Sequence, residues 1–296
     1  MNGLLVLDKP SDWTSHDVVG RVRRILGTRK VGHAGTLDPM ATGVLILGVG
    51  RATRLLGYIS GADKTYTATI RLGQSTSTDD AEGEFIGQAS SDALAALHLS
   101  SVEEGIALLT GTIMQVPSSV SAIKVDGKRA YARVRAGEDV VLPPRRVEVS
   151  EFALLDHQFG EFWLDLQVQV TCSSGTYIRA LARDLGNELS LGGHLTALRR
   201  TRLGPWDQSE AISAEDLASG AISEESLISL EDAAARVFPR WVVSDPDSLM
   251  VRNGRRIDWT YAESSDPVIA IFDNGGNFLA LAEQHGPTAK YLAVFV

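Results

Sequence analysis

The segment Gly32-His33-Ala34-Gly35-Thr36-Leu37-Asp38-Pro39-Met40-Ala41-Thr42-Gly43 gathers glycines, a histidine and an aspartate into twelve residues. Such a loop must turn tightly and let something approach its backbone closely. Asp38-Pro39 also has the form of an N-cap followed by proline at the first helical position. The two readings agree, because a carboxylate at a helix start is held in place and favoured in its ionised form by the helix dipole. A second candidate is Arg179 in Gly175-Thr176-Tyr177-Ile178-Arg179, which opens a helix directly after a strand. A cation in a first turn sits at the wrong end of the dipole. Either Arg179 is an exposed side chain, or it has an anionic partner such as Asp38.

Other chemistries find less support. Gly48-Val49-Gly50-Arg51-Ala52-Thr53 follows a strand, as a dinucleotide fingerprint would, but the third glycine is missing and another strand begins near Thr65. That is too soon for a crossover helix and a ribose-binding acid, so a tight turn is expected. The histidines His16, His33, His98, His157, His194 and His285 form no i,i+4 pair and no zinc spacing, and no metal site is expected. Cys172 lies in an apolar run and reads as core. No Gly-x-Ser-x-Gly elbow marks a hydrolase nucleophile.

Several elements must position these groups. Gly3 to Leu7 is strand-like. Thr14, with Asp17 three residues on, reads as the start of a helix that buries Val18, Val19 and Val22 and stops at Gly27. Val44 to Leu47 and the alternating Thr65 to Leu72 are strands, and Gln74 to Gly87 is a surface loop or hairpin. Val102 to Leu109 and Thr176 to Leu189 are helix-like. Val120 to Val125, Arg146 to Leu154, Phe162 to Val170 and His194 to Leu203 are strand-like. From Pro239 onward, short β segments separated by Asn-Gly and Gly-Gly turns suggest a small β-barrel.

The chain has 296 residues, 44% hydrophobic and 22% charged, and one cysteine. It can form a core without disulfides, and its length suggests a large domain plus a small one. The division expected is 1–238, with a basic insertion at about 124–146, and 239–296. The sequence has no secretory h-region or spanning helix, so a cytoplasmic protein without membrane contact is expected. Net charge is −9, from 28 basic and 37 acidic side chains. The acids concentrate in Leu203 to Ala235 and Gln74 to Gly87, read as a face that does not bind, while Lys124 to Arg146 is strongly basic. Charges segregated in this way can still present a positive face to a polyanion.

Taken in order, these segments resemble the bacterial tRNA pseudouridine-55 synthases of the TruB family. The resemblance covers Leu4 to Trp206. It rests on Leu4-Leu-Val-Leu-Asp-Lys-Pro10, the Gly32 to Gly43 loop, Lys64-Thr-Tyr66, Gly175-Thr-Tyr-Ile-Arg179 and His194-Leu-Thr-Ala-Leu-Arg-Arg200. One departure is Asp12, where the family usually has glycine, which bears on the geometry of that turn.

The resemblance implies an α/β (α+β) pseudouridine synthase fold, with a mixed, largely antiparallel sheet around a central cleft and a small C-terminal PUA-like β domain. The implied activity is isomerisation of the T-loop uridine at position 55 of tRNA, without cofactor or metal. The base is flipped into a pocket and a C-glycoside forms with the help of an aspartate. By matching position, Asp38 is implied as the essential carboxylate, acting on the base or the sugar or as base in a glycal route, with Arg179 as its counter-ion. Tyr66 would stack on the uracil near C5. His33 would fill the gap left in the RNA or hold the flipped nucleotide. Tyr177 and Leu198 would line the pocket, and Lys9 and Lys64 would support the loop or contact phosphate. The Lys124 to Arg146 arm would grip the T-arm stem-loop and order on binding. The chain would act as a monomer with no obligate protein partner. The competing reading is a non-catalytic tRNA-binding or folding module that uses the same cleft.

Overall fold

Aliphatic runs near the N-terminus become strands buried on both faces. In β1 (Gly3–Lys9), Leu5 and Leu7 enter one core, while Leu4 and Val6 enter another on the opposite side. β3 (Thr42–Val49) divides its side chains in the same way, Leu45 and Leu47 against Val44 and Ile46. Both strands are interior because each pleat face has something to cover it. The structure, a computed structural model, describes residues 1–119, 142–262 and 267–296, and the backbone of the short antiparallel pair β8 (Lys124–Val125) and β9 (Lys128–Arg129).

The main sheet also contains β2 (Val31–Ala34), β4 (Lys64–Leu72), β7 (Gly111–Gln115), β10 (Arg145–Phe159), β11 (Leu164–Cys172), β12 (Gly193–Leu203) and β13 (Trp206–Asp207). Its order is β1-β3-β12-β4-β11-β10-β7, with β2 added to β3 and β13 to β12. Neighbours run antiparallel except β3 and β12, which run parallel through Thr42 opposite Arg199 and Gly43 opposite Arg200. The expected mixed, largely antiparallel sheet is therefore present. Gly43 makes the parallel contact possible: its φ is 98°, and a Cβ there would stand 2.2 Å from the Arg200 carbonyl oxygen.

The helix Ser15–Ile25 begins with the expected capping box, in which Thr14 Oγ1 accepts the Asp17 N–H and Asp17 accepts the Thr14 N–H. The helix Ile178–Glu188 buries Ile178, Leu181 and Leu185 in the core that the sheet shares with the first helix. After the 3₁₀ turn Gly50–Arg54, which is the turn expected of the Gly48 to Thr53 segment, Arg51 and Arg54 donate to the carbonyls of Phe295 and Val294. The candidate fingerprint thus serves to dock the C-terminal strand.

Three local expectations need correction. No helix starts at Asp38-Pro39: Ala41 N–H closes a turn onto the Asp38 carbonyl at 3.1 Å, and the chain enters β3 at Thr42, too soon for a helix to form. Val31–Ala34, placed partly in the loop from sequence, pairs with β3 as a strand. Beyond Pro239, β14 (Arg240–Val242), β15 (Ile269–Phe272), β16 (Phe278–His285) and β17 (Thr288–Val294) form a four-stranded sheet in that order; among the described residues β14 and β17 do not pair with each other to close a barrel, and the start of β17 instead bridges to Asp258, with the Ala289 N–H donating to the Ile257 carbonyl. That region also holds the helix Asp245–Arg252, which the β-rich pattern concealed and which Ser244 caps. Phe272, Phe278, Leu281 and Phe295 join Leu4, Val6, Val44 and Trp206 in one core, so the small sheet packs on the back of β1 and β3. The short β5 (Gln74–Thr76) and β6 (Phe85–Gln88) form the expected hairpin.

Candidate active site

The Gly35 to Met40 turn is braced from beneath. Lys9 is fully buried at the end of β1, and its Nζ donates to the carbonyls of Pro10 (2.9 Å), Trp13 (2.5 Å) and Pro39 (3.0 Å). Burial lowers its pKa to about 8. Ser15 Oγ donates to the Leu37 carbonyl at 3.2 Å and accepts the Leu37 N–H at 2.9 Å. The Asp12 N–H donates to the Pro39 carbonyl at 2.9 Å with Asp12 at φ 67°, a left-handed position that favours glycine and tolerates aspartate. Both the glycine that the resemblance implies here and the aspartate present fit this position. Lys9 is therefore a support of the loop, and its donors are already engaged.

Asp38 projects from this turn, its side chain 35% exposed, to meet Arg179, which is only 4% exposed. Arg179 Nε and Nη2 donate to Asp38 Oδ2 and Oδ1 at 3.0 and 3.2 Å, a two-pronged pairing that fixes the carboxylate plane. Arg179 Nη1 also donates to the Thr78 carbonyl at 2.9 Å and lies 3.4 Å from Asp80 Oδ2. The cation at the start of its helix is therefore answered by carboxylates, and Asp38 is among them. Asp80 is itself buried, and Asp79 pairs with Arg183 at 3.1 Å. These two acids belong to the Gln74 to Gly87 segment, read from sequence as part of a face that does not bind. They turn inward instead, and only the fold shows this.

On the other side of Asp38 lies a cavity of about 290 Å³, lined among others by Thr36, Lys64, Tyr66, Tyr177, Leu198 and Arg200. The strand period places these groups together. Lys64 and Tyr66 share the buried face of β4, and Tyr66 stands opposite Arg200 on β12. Burial raises the pKa of the Tyr66 hydroxyl, with Arg200 opposing the rise, so it is a neutral phenol at physiological pH. Lys64 Nζ donates to the Ser60 and Ala62 carbonyls at 2.9 and 2.7 Å, and burial lowers its pKa to about 8. Tyr177 is fixed at both backbone groups by Gln115, whose Nε2 donates to the Tyr177 carbonyl and whose Oε1 accepts its N–H. The Arg145 guanidinium lies 4.7 Å over the Tyr177 ring.

The structure thus brings together Asp38, Arg179, Tyr66, Tyr177, Leu198 and Lys64. His33, on β2, packs its ring edge-on to His16 at 5.5 Å and does not line the cavity. Burial is the main cause that lowers its pKa. Sequence reasoning assigned no role to Arg200, named as the end of the His194 to Arg200 motif, or to the buried Gln115. Strand alternation on β12 was the available signal for Arg200. Of the basic arm, residues 126–127 and 130–141 lie outside the described residues. Among the described residues no group of three or more His, Cys, Asp or Glu side chains could hold a metal ion, and no helix is long and apolar enough to cross a membrane. Cys172 is buried in the core, which pushes its thiol up to about 11.

A carboxylate clamped beside a cavity, at the centre of a mixed sheet backed by a smaller β unit, defines the pseudouridine synthase fold class. In keeping with this, the fold aligns over 99% of the chain with a solved Cbf5-Nop10-Gar1 complex, covering 85% of that chain at TM-score 0.75 and 25% identity. It aligns equally widely with an archaeal box H/ACA sRNP Nop10-Cbf5 complex, covering 86% of that chain at TM-score 0.72 and 24% identity, which speaks for the fold. The chain belongs to the TruB family of pseudouridylate synthases, whose N-terminal domain model matches residues 23–178. A model of the tRNA pseudouridylate synthase B C-terminal domain matches 179–236. That second match includes β12, in the middle of the main sheet. Relatives include the tRNA pseudouridine synthase B of Leifsonia xyli, 54% identical over 99% of this chain and 96% of the relative. Another is that of Streptomyces avermitilis, 52% identical over 99% and 97%.

Proposed function

We propose that this chain isomerises uridine 55 in the T-loop of tRNA to pseudouridine, with Asp38 as the reacting carboxylate. The observation that carries the reading is the two-pronged Arg179–Asp38 pair at the edge of a cavity walled by Tyr66 and Leu198. In this reaction the N1–C1′ bond breaks and a C5–C1′ bond forms, while a proton leaves C5 and one arrives at N1. No electrons are exchanged with a second reactant. The uracil must leave the loop stack to reach Asp38, at a cost of a few kcal/mol. Tyr66 supplies the stacking surface and Leu198 the apolar wall, and Tyr177 completes the lining. Arg179 orients the carboxylate toward the cavity, so that little reorganisation accompanies its attack on base or sugar. His33, outside the cavity on the same side as the loop, is placed by this reading against the RNA rather than the base.

The same reading takes residues 1–238 as the catalytic domain and 239–296 as a PUA-like domain, with the segment about 124–146 gripping the stem-loop. It also takes the enzyme as a cytoplasmic monomer. The test is incubation of the purified chain with unmodified tRNA, with pseudouridine at position 55 located by carbodiimide modification and primer extension, and tRNA affinity measured by filter binding. Wild-type protein is expected to modify the site. Asp38→Asn is expected to bind tRNA within a few-fold of wild type and to make no product. Wild-type protein that binds tRNA without forming pseudouridine would overturn the reading in favour of a binding or folding module.

A further inference from the structure

Arg200 has 0% exposure, an expensive place for a guanidinium unless its charge is answered. Its Nε donates to the Val44 carbonyl at 2.7 Å and its Nη2 to the Gly35 carbonyl at 3.1 Å, and the group approaches the Tyr66 hydroxyl. Lys64, 7% exposed, likewise donates to backbone carbonyls. Three nearby arginines meet acids, Arg179 with Asp38 and Asp80, Arg183 with Asp79 and Asp184, and Arg199 with Asp8, while Arg202, at the edge of the site, donates to Thr65 Oγ1 and the Gly204 carbonyl. Among the described residues, Arg200 and Lys64 are ion-paired with no carboxylate. Both line the cavity, and Gly35 lies against both of them. A Cβ on Gly35 would stand 3.5 Å from Arg200 Nη1 and 3.6 Å from Lys64 Cε. The cavity lining therefore holds a clamped carboxylate together with two buried basic side chains that are hydrogen-bonded to backbone carbonyls and in ion pairs with no carboxylate among the described residues.

We propose that Arg200 and Lys64 stabilise the pyrimidine ring of the target nucleotide as an anion while it is detached from the sugar. This inference rests on the isomerase reading above. When N1–C1′ breaks, its electron pair leaves with the ring and spreads over N1, O2 and O4. C1′ is taken by an Asp38 oxygen, or a sugar proton is removed by Asp38. C5 then bonds to C1′ as the Asp38 oxygen departs or the proton returns, the C5 proton leaves, and N1 is protonated. If Asp38 adds first to the base, the ring again becomes anionic. The ring is neutral as substrate and as product, so positive charge in the cavity lining acts on the intermediate more than on binding. Fixed charges in a water-poor site are well suited to that task.

The test uses single-turnover conversion of T-arm stem-loops carrying either uridine or 5-fluorouridine at the target position. Scission of the N-glycosidic bond is read by nuclease digestion and chromatography. Fluorine withdraws electron density and makes the ring anion easier to form, so this substrate depends less on the cations. Lys64→Gln is expected to slow the uridine substrate about 10²-fold or more, to slow the fluorinated substrate at least tenfold less, and to leave stem-loop Kd within about threefold. Lys64→Arg, which keeps the charge, is expected to recover most of the loss. Arg200→Lys serves as the second variant if its melting curve shows a folded protein, with the same substrate dependence expected. Equal slowing of both substrates, or a loss contained wholly in Kd, would overturn the inference while leaving the isomerase reading intact. Wild-type enzyme that fails on uridine would bring down that reading, and this one with it.

Discussion

Arg179 and Asp38, 141 positions apart in the chain, meet as a planar pair in which two guanidinium N–H groups donate to the two carboxylate oxygens at 3.0 and 3.2 Å. Arg179 also bonds the Thr78 carbonyl and faces Asp80. Arg179→Lys keeps the charge but has no fork with which to hold the carboxylate plane. It is expected to lower kcat about 10²-fold with little change in KM. A comparable rise in KM with kcat preserved would show that Arg179 serves binding instead. Arg179→Met, which strands the buried Asp80, is expected to cost about 3 kcal/mol of stability, read as a fall in the urea midpoint.

Asp12 is the second lever on the same loop, because its N–H holds the Pro39 carbonyl and its φ is 67°. Asp12→Gly is expected to stay within about 1 kcal/mol of wild type, since relief of strain is offset by the greater freedom of the unfolded chain. Asp12→Val is expected to lose about 1–3 kcal/mol and to reduce turnover as the turn shifts. Thermal melts of the two variants separate these outcomes, and equal stability would show that the turn makes no demand for a left-handed residue.

Gly43 tests the parallel junction. A methyl group there meets the Arg200 carbonyl at 2.2 Å and its nitrogen at 2.9 Å, both backbone atoms that cannot swing aside. Gly43→Ala is expected to abolish soluble expression or to lower stability by more than about 3 kcal/mol, as seen by circular dichroism on heating. A variant that melts like wild type would show that β3 and β12 separate easily.

Lys64 sets a pH dependence whose sign differs between stability and activity. Burial lowers its pKa from 10.5 to about 8, assisted by Arg200 and opposed weakly by Cys172 and Asp63. Below about pH 8 the ammonium is charged in both folded and unfolded chains, and the folded state bears the full cost of burying it. Between pH 8 and 10.5 the unfolded chain holds a proton that the folded group has released, so this group's contribution to stability rises with pH. Activity moves the other way, because the charge in the cavity is lost above pH 8. The pH profile of kcat is expected to fall on its alkaline side near 8, and the fall is expected to disappear in Lys64→Arg. A fall that persists in that variant would assign it to another group.

The basic arm has a test of its own in salt. Replacement of Arg129, Arg133 and Arg135 by alanine is expected to weaken tRNA binding and to flatten the dependence of log Kd on log salt, by somewhat less than one unit of slope for each phosphate that is no longer neutralised. An unchanged slope would return these residues to an ordinary solvated surface.

Much of the site was legible because it depends on short-range order. The helix start at Thr14 and Asp17 and the alternation of the Thr65 to Leu72 strand, which the structure extends to Lys64, follow from the 3.6- and 2-residue periods of the backbone. The ordered motifs from Leu4 to Arg200 pointed to the family. The misplaced N-cap at Asp38-Pro39 shows the limit of local pattern: the same two residues fit a helix start or a turn, and the nearness of β3 decided for the turn.

What the sequence determined by itself is therefore the set of chemical groups and the strand faces that carry them. What only the tertiary structure decided is which charges are answered and which are not. Asp79 and Asp80 look like surface acids in the chain and close onto Arg183 and Arg179 in the fold. Arg199 and Arg200 are adjacent in sequence, yet Arg199 pairs with Asp8 while Arg200 is sealed beside Tyr66 and donates to the Val44 and Gly35 carbonyls. The reason is physical: the energy of a charge is set by burial and by partners that arrive from distant strands, and neither is a property of its neighbours along the chain.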